Sequence, residues 1–190
     1  MAELNFMDVD WSKIPAPVDD GAARHLPGAK MPDTPLPATD GSTVSLANLA
    51  GRTVLFAYPM TGKPGVPLPD GWDDIPGARG CSPQSCSFRN LHQDLISAGA
   101  ARVFGLSTQD TDYQREAAAR LHLPFPILSD ATREFSEALR LPVFVVGGKM
   151  LLKRMALILD DARITHVFYP VFPPDRNAGD VLAWLKENRR

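Results

Sequence analysis

Apolar positions recur along this chain in two periods, and each change of period marks a change of element. Thr53–Tyr58 (T-V-L-F-A-Y) is a continuous apolar run, as expected of a central strand buried on both faces, and Pro59 ends it. Ala101–Ser107 and the short Phe125–Ser129 read as further strands. Phe88, Leu91 and Leu95 recur at helical spacing, and so do Tyr113, Ala117 and Leu121 within a helix over Thr111–His122. Ala131–Leu139 reads as a short helix. Lys153–Leu159 and Ile164–Tyr169 form an antiparallel pair around the turn Asp160-Asp161-Ala162. Ala178–Asn188 closes as a helix with Val181, Leu182 and Leu185 facing in. The order β-α-β-α-β-α-β-β-α implies an α/β fold, a mixed sheet with helices on both faces.

Before Thr53 the pattern weakens. Residues 1–28 show little periodicity and carry Pro15, Pro17 and Pro27. They read as an N-terminal extension, lying on the domain or on a partner subunit, ahead of one domain over 29–190. Met31–Pro37 is punctuated coil, and Asp40-Gly41 marks a turn between two extended pieces of Ala38–Ser45. Ser45–Leu49 fits one helical turn ended by Gly51. Between Met60 and Gly80, a Pro-rich loop holds Pro64, Pro67, Pro69 and Pro76. A loop of roughly twenty residues in a compact domain is either a functional lid or binding segment, or a tolerated insertion.

At 190 residues the chain can bury a real core in a single domain. Its formal net charge of −2 gives no general attraction for nucleic acid or anionic membrane. No apolar run approaches the roughly 18 residues that span a bilayer. The acidic opening M-A-E-L-N-F-M-D-V-D-W lacks the apolar stretch of a secretory signal, which points to the cytoplasm.

That compartment changes how the two cysteines, Cys81 and Cys86, are read. In a reducing setting such a pair is catalytic, redox-sensing or simply buried. Ser82 is a good N-cap and Pro83 suits the first helical position, so a helix starts beside Cys81. Free backbone N–H groups and the positive end of the helix dipole favour a thiolate there. The plainer alternative makes both cysteines small buried hydrophobes. Against it, Cys86 lies opposite the Phe88/Leu91/Leu95 stripe, alongside Asn90, Gln93 and Ser97. His25, His92, His122 and His166 show no metal-ligand spacing, so neither metal nor cofactor is expected. Trp72 reads as a packing anchor, and Tyr169–Pro174 as a rigid connector to the last helix.

The strand ending in Tyr58-Pro59, the cysteine at a helix start and the run Val103-Phe104-Gly105-Leu106-Ser107 together resemble a peroxiredoxin. So does Leu123-Pro124-Phe125-Pro126-Ile127-Leu128-Ser129-Asp130. Within that family, C-S-P-Q-S-C-S-F-R-N is similar to the peroxiredoxin Q (bacterioferritin comigratory protein) subgroup. The resemblance implies a thioredoxin-like fold with Cys81 as the peroxidatic and Cys86 as the resolving cysteine. It also implies Arg154 as the arginine that holds the thiolate and orients the peroxide, a role for fixed, always-charged donors. Arg79 could add to the electrostatics. A thiol peroxidase acting on hydrogen peroxide or small organic hydroperoxides follows, with thioredoxin or a similar dithiol as reductant. A homodimer is compatible with the likeness, with no interface identified.

The chain departs from the family motif P-x-x-x-T-x-x-C, because Asp74 and Ala78 occupy the proline and threonine positions. Pro59 is then the counterpart of the motif proline, with the long loop inserted behind it. Thr61 and Ser82 are the candidates to replace the threonine hydroxyl. Two Cα atoms five apart in an intact helix are roughly 8.5 Å apart, beyond the ~7 Å limit of a disulfide. If Cys81 and Cys86 bond, the helix must unwind. Two rivals remain: a redox sensor or interaction module switched by the same disulfide, and a thiol–disulfide oxidoreductase. The latter would want Cys-x-x-Cys.

Overall fold

The computed structural model describes residues 9–189. At its centre lies a five-stranded mixed sheet. Strand β3 (Arg52–Ala57) runs down the middle, parallel to β4 (Arg102–Ser107) and antiparallel to β8 (Met155–Asp160). β5 (Ile127–Ser129) extends the parallel side, and β9 (Arg163–Phe168) the antiparallel side. All six residues of β3 are buried, as its unbroken apolar run requires.

The period of two along β3 divides the core. Val54, Phe56 and Tyr58 face a layer made by α1 (Cys81–Asn90), α2 (His92–Ser97) and α5 (Asn177–Glu187). Leu55 and Ala57 face the other way, toward α4 (Glu134–Leu139), the hairpin β1–β2 (Pro35–Pro37 and Thr43–Ser45) and Leu26. Phe56 stacks on Phe88 of α1 with centroids 4.2 Å apart and planes 5° from parallel. Its register partner is Gly105, where a Cβ would come within 3.1 Å of the Phe56 ring, so a hydrogen at that position makes room for the ring. Arg52 and Asp160, opposite each other on β3 and β8, form a buried bidentate pair at 2.8 and 3.0 Å. Arg52 also donates to the carbonyl of Asn188 at 2.7 Å, tying the end of α5 to the sheet.

The elements expected from the apolar pattern are present, but Pro35–Pro37, expected as coil, is strand β1, and three further differences stand out. V-F-V-V-G-G-K-M-L-L, given no element above, is a hairpin of β6 (Val143–Val146) and β7 (Lys149–Leu152). Gly147 and Gly148 make its turn with φ of +54° and +72°, the left-handed pair that a two-residue hairpin turn demands. The cysteine helix breaks at Leu91, where φ of −100° and ψ of 8° separate α1 from α2. The 60–80 loop contains a short 3-10 turn, Trp72–Asp74. Trp72 is an anchor: it packs with Met60, Ala78, Val146 and Leu151, so the hairpin props the loop from beneath.

Residues 9–28 lie on their own chain. Leu26 enters the core, the His25 ring meets the carbonyl of Leu139 at 2.9 Å, and the Gly28 amide donates to Ile164 at 2.8 Å. The remaining helix, α3 (Thr111–Arg120), starts on Asp110, whose carboxylate accepts from the Tyr113 amide at 2.7 Å. Among the described residues no helix is long and apolar enough to cross a membrane.

Candidate active site

Cys81 is the first residue of α1, and Gly80, not Ser82, precedes it as N-cap, in a left-handed conformation with φ of +105°. Pro83 falls third in the helix, still among the positions whose N–H has no intrahelical acceptor, so its missing donor costs nothing there. The first intrahelical bond runs from the Gln84 amide to the Gly80 carbonyl at 3.0 Å. Gly77, with φ of +79°, makes the other bend. Between these two glycines the chain turns three successive carbonyls toward one point.

That point is the Arg154 guanidinium. Its Nη2 donates to the carbonyls of Gly77 at 3.3 Å, Ala78 at 3.1 Å and Arg79 at 3.1 Å, and lies 3.3 Å from Cys81 Sγ. Its Nη1 donates to Gln84 Oε1 at 2.5 Å, and Gln84 Nε2 donates to Asn177 Oδ1 at 2.9 Å. Cys81 is 4% exposed, Arg154 3% and Gln84 0%, so these polar contacts form away from water, where they are strongest. The Cys81 thiol points back at the Ala78 carbonyl, 3.6 Å away.

Of the residues singled out in the sequence, Cys81, Arg154 and Arg79 come together. Arg79 reaches outward to Asp73 at 2.6 Å, and only its carbonyl meets Arg154. Pro59 and Thr61 are buried after β3 but do not line the cavity beside Cys81. The Thr61 hydroxyl and amide both turn to Gln109 Oε1, at 3.3 and 3.0 Å. Ser82 is the hydroxyl-bearing residue that does line it. The cavity, about 310 Å³, is roofed by the Pro-rich loop through Met60, Val66, Leu68 and Trp72, with Arg120 of α3 at its side. A larger cavity of about 760 Å³ opens on the far side of that loop, between α3 and the β6–β7 hairpin, away from Cys81.

Cys86 sits one and a half turns down α1. It lies off the apolar stripe yet is 2% exposed, and with Gln84 and Ser85 it shows that α1 is covered beyond its sheet-facing side. Burial pushes its thiol pKa up, while Arg89 and Arg120 pull it part of the way back. Both cysteines are free, and α1 between them is intact. Burial also holds the Tyr58 phenol, at the end of β3, well above its usual range, and charge on Cys81 adds to that. His92 and His166 are held below the usual imidazole range by burial, against Phe125 and between Phe168 and Trp184 respectively. No three His, Cys, Asp or Glu groups among the described residues converge to hold a metal.

Gln84 and Asn177 escaped the sequence reading. Gln84, three residues after Cys81, shares its side of the helix, a spacing that could have flagged it. Asn177 has no such signal.

A helix-start cysteine under a buried arginine, at the end of a five-stranded mixed sheet, defines a thiol-based redox protein of thioredoxin-like fold. Residues 26–182 match the Redoxin family, and the chain belongs to it, with relatives in its peroxiredoxin Q subgroup. Chloroplastic peroxiredoxin Q of Triticum aestivum is 30% identical over 157 residues, covering 82% of this chain and 64% of the relative. That of Oryza sativa subsp. japonica is 29% identical over 161 residues, covering 84% and 66%. The chain thus spans just under two thirds of the length of these plant relatives. The crystal structure of peroxidoxin BcpB from Mycobacterium tuberculosis superposes with a TM-score of 0.69 at 26% identity, covering 87% of this chain and 100% of that one.

Proposed function

We propose that this protein is a thiol peroxidase that reduces hydrogen peroxide or small organic hydroperoxides. The observation that carries the reading is the 3.3 Å approach of Arg154 Nη2 to Cys81 Sγ at the start of α1. A guanidinium there offers a fixed donor to the reacting sulfur and to the oxygen that takes up charge as the O–O bond breaks. Cys81 thiolate attacks the distal peroxide oxygen, the O–O bond breaks, the leaving oxygen takes up the proton that the thiol released and departs as alcohol or water, and Cys81 becomes a sulfenic acid. The Cys86 thiol then attacks that sulfur and expels water, forming the Cys81–Cys86 disulfide. Thioredoxin or a similar dithiol returns both to thiols, a cycle suited to the cytoplasm.

Arg154 is held in place by Gln84 and by the carbonyls of Gly77, Ala78 and Arg79, so its position does not depend on substrate. Arg79 and Ser82 flank the entry, and the apolar roof of the loop excludes water around the reacting oxygens.

The test is peroxide consumption at catalytic protein concentration with thioredoxin and its reductase present. Cys81→Ser abolishes turnover, whereas Cys86→Ser supports one fast turnover and then stalls as the sulfenic acid. Full turnover by the Cys81 variant ends the proposal. Peroxide-driven disulfide formation without sustained turnover would instead indicate a sensor.

A further inference from the structure

The segment before the family-matched stretch reaches both ends of the loop that carries Cys81. At one end is Trp11. Its indole Nε1 donates to Asp175 Oδ2 at 2.9 Å, and its ring meets Phe172 edge-on with centroids 6.1 Å apart. The same ring lies against Gly80: a Cβ there would stand 2.7 Å from Trp11 Cη2 and 2.6 Å from Pro174 Cγ. The residue that caps α1 is therefore clamped between the N-terminal segment and the turn Pro174–Arg176. At the other end, Pro17 packs on Gly77, 3.4 Å from where its Cβ would be. Asp20 accepts from Lys153, the neighbour of Arg154, at 2.6 Å and from the Tyr169 hydroxyl at 2.7 Å. The family match begins at residue 26, so Trp11, Pro17 and Asp20 lie ahead of it while their partners lie within it.

We propose that Trp11 is a positioning residue that holds Gly80, and through it the first turn of α1, in the helical form that presents Cys81 to Arg154. This rests on the peroxidase reading above. The two chemical steps need opposite states of that turn. Attack on peroxide uses the folded turn, with Cys81 Sγ beside Arg154 Nη2. Disulfide closure requires the turn to unwind, because an intact helix keeps the two cysteines too far apart. By pinning Gly80, Trp11 lengthens the life of the sulfenic acid.

Two fates then compete. In one, Cys86 sulfur attacks the Cys81 sulfur, the S–O bond breaks, and water leaves carrying the Cys86 proton. In the other, a second hydroperoxide transfers an oxygen to the Cys81 sulfur, giving a sulfinic acid and an alcohol. The clamp shifts the partition toward the second fate at high peroxide.

The experiment compares the parent with Trp11→Ala and Asp175→Ala, the latter removing the indole's acceptor while leaving the ring. Rapid quench and mass spectrometry follow sulfenic acid, disulfide and sulfinic acid in each. Closure is expected to speed up about fivefold in Trp11→Ala, the worth of one aromatic contact, and less in Asp175→Ala. The sulfinic fraction at equal peroxide excess falls in step. Amide exchange of residues 81–85 in the reduced protein, which needs no peroxide, is expected to quicken in both variants. Parental closure rates and parental exchange in both variants overturn the clamp. A parent that never forms the sulfenic acid overturns the peroxidase reading instead, and exchange alone then decides whether Trp11 pins the turn.

Discussion

Arg154 and Cys81, 73 residues apart in sequence, meet at 3.3 Å with both side chains almost wholly buried. A buried cation with no acidic partner in contact would be costly, and here three loop carbonyls and the Gln84 amide oxygen surround it. The thiol sulfur shares Nη2 with those carbonyls, while Nε is buried without a hydrogen-bond partner among the described residues.

On the proposed peroxidase chemistry, replacing Arg154 strikes the first step. In a Cys86→Ser background, Arg154→Met is expected to slow single-turnover peroxide attack by on the order of a hundredfold, as loss of a preorganised donor does. Arg154→Lys recovers little, since one flexible ammonium cannot serve the carbonyls, Gln84 and sulfur together. Stopped-flow rates within threefold of the parent in Arg154→Met would remove this arginine from the mechanism.

Gln84 links the arginine to Asn177 across a fully buried gap. Gln84→Leu strips Arg154 Nη1 and Asn177 of their partner, at a cost of about 1–3 kcal/mol for a buried polar group left unmade. Urea denaturation of the reduced protein is the measurement, and an unchanged midpoint would mean that water or repacking replaces the amide.

Phe88 ties the cysteine helix to the sheet through its stack on Phe56. Phe88→Ala is expected to lose about 3–5 kcal/mol of stability, in the range for buried aromatic truncations. Peroxide attack should slow as well, because α1 loses the contact that sets its distance from β3. Calorimetry and single-turnover kinetics on the same preparation separate the two effects.

Burial raises the Cys86 pKa, so in the proposed cycle it is a thiol at neutral pH when the Cys81 sulfenic acid forms. In Cys81→Ser, alkylation of the remaining thiol by iodoacetamide is expected to accelerate only above the ordinary thiol range. The sign for stability follows. A thiol whose folded pKa is raised stabilises the fold below the unfolded thiol pKa, and that contribution disappears as pH rises through the folded value. The urea midpoint of Cys81→Ser should fall with alkalinity more steeply than that of Cys81→Ser/Cys86→Ala. Parallel curves would contradict the shift.

Closure of the proposed Cys81–Cys86 disulfide requires α1 to unwind. Amides of residues 82–90 are expected to exchange faster in the disulfide form than in the reduced form. Matching protection in both redox states would show that no unwinding occurs.

Local pattern was enough to place most of the elements and to single out Cys81 as the candidate nucleophile. The unbroken run at Thr53–Tyr58 could be satisfied only by a strand buried on both faces, and the helical stripe through Phe88 and Leu95 only by a helix against it. Periodicity is local, so it is legible without a fold. The V-F-V-V-G-G-K-M-L-L hairpin went unread, although its paired glycines carried the signal. The cap of α1 was misplaced, because Ser82 satisfies the local rule while loop geometry selects Gly80. Partners distant in sequence were out of reach. Nothing local says that Thr61 turns to Gln109, that Gln84 bridges Arg154 to Asn177, or that Trp11 lies on Gly80. Those contacts exist only after the fold has brought segments distant in sequence together, where most buried polar groups pair with a neighbour of complementary chemistry.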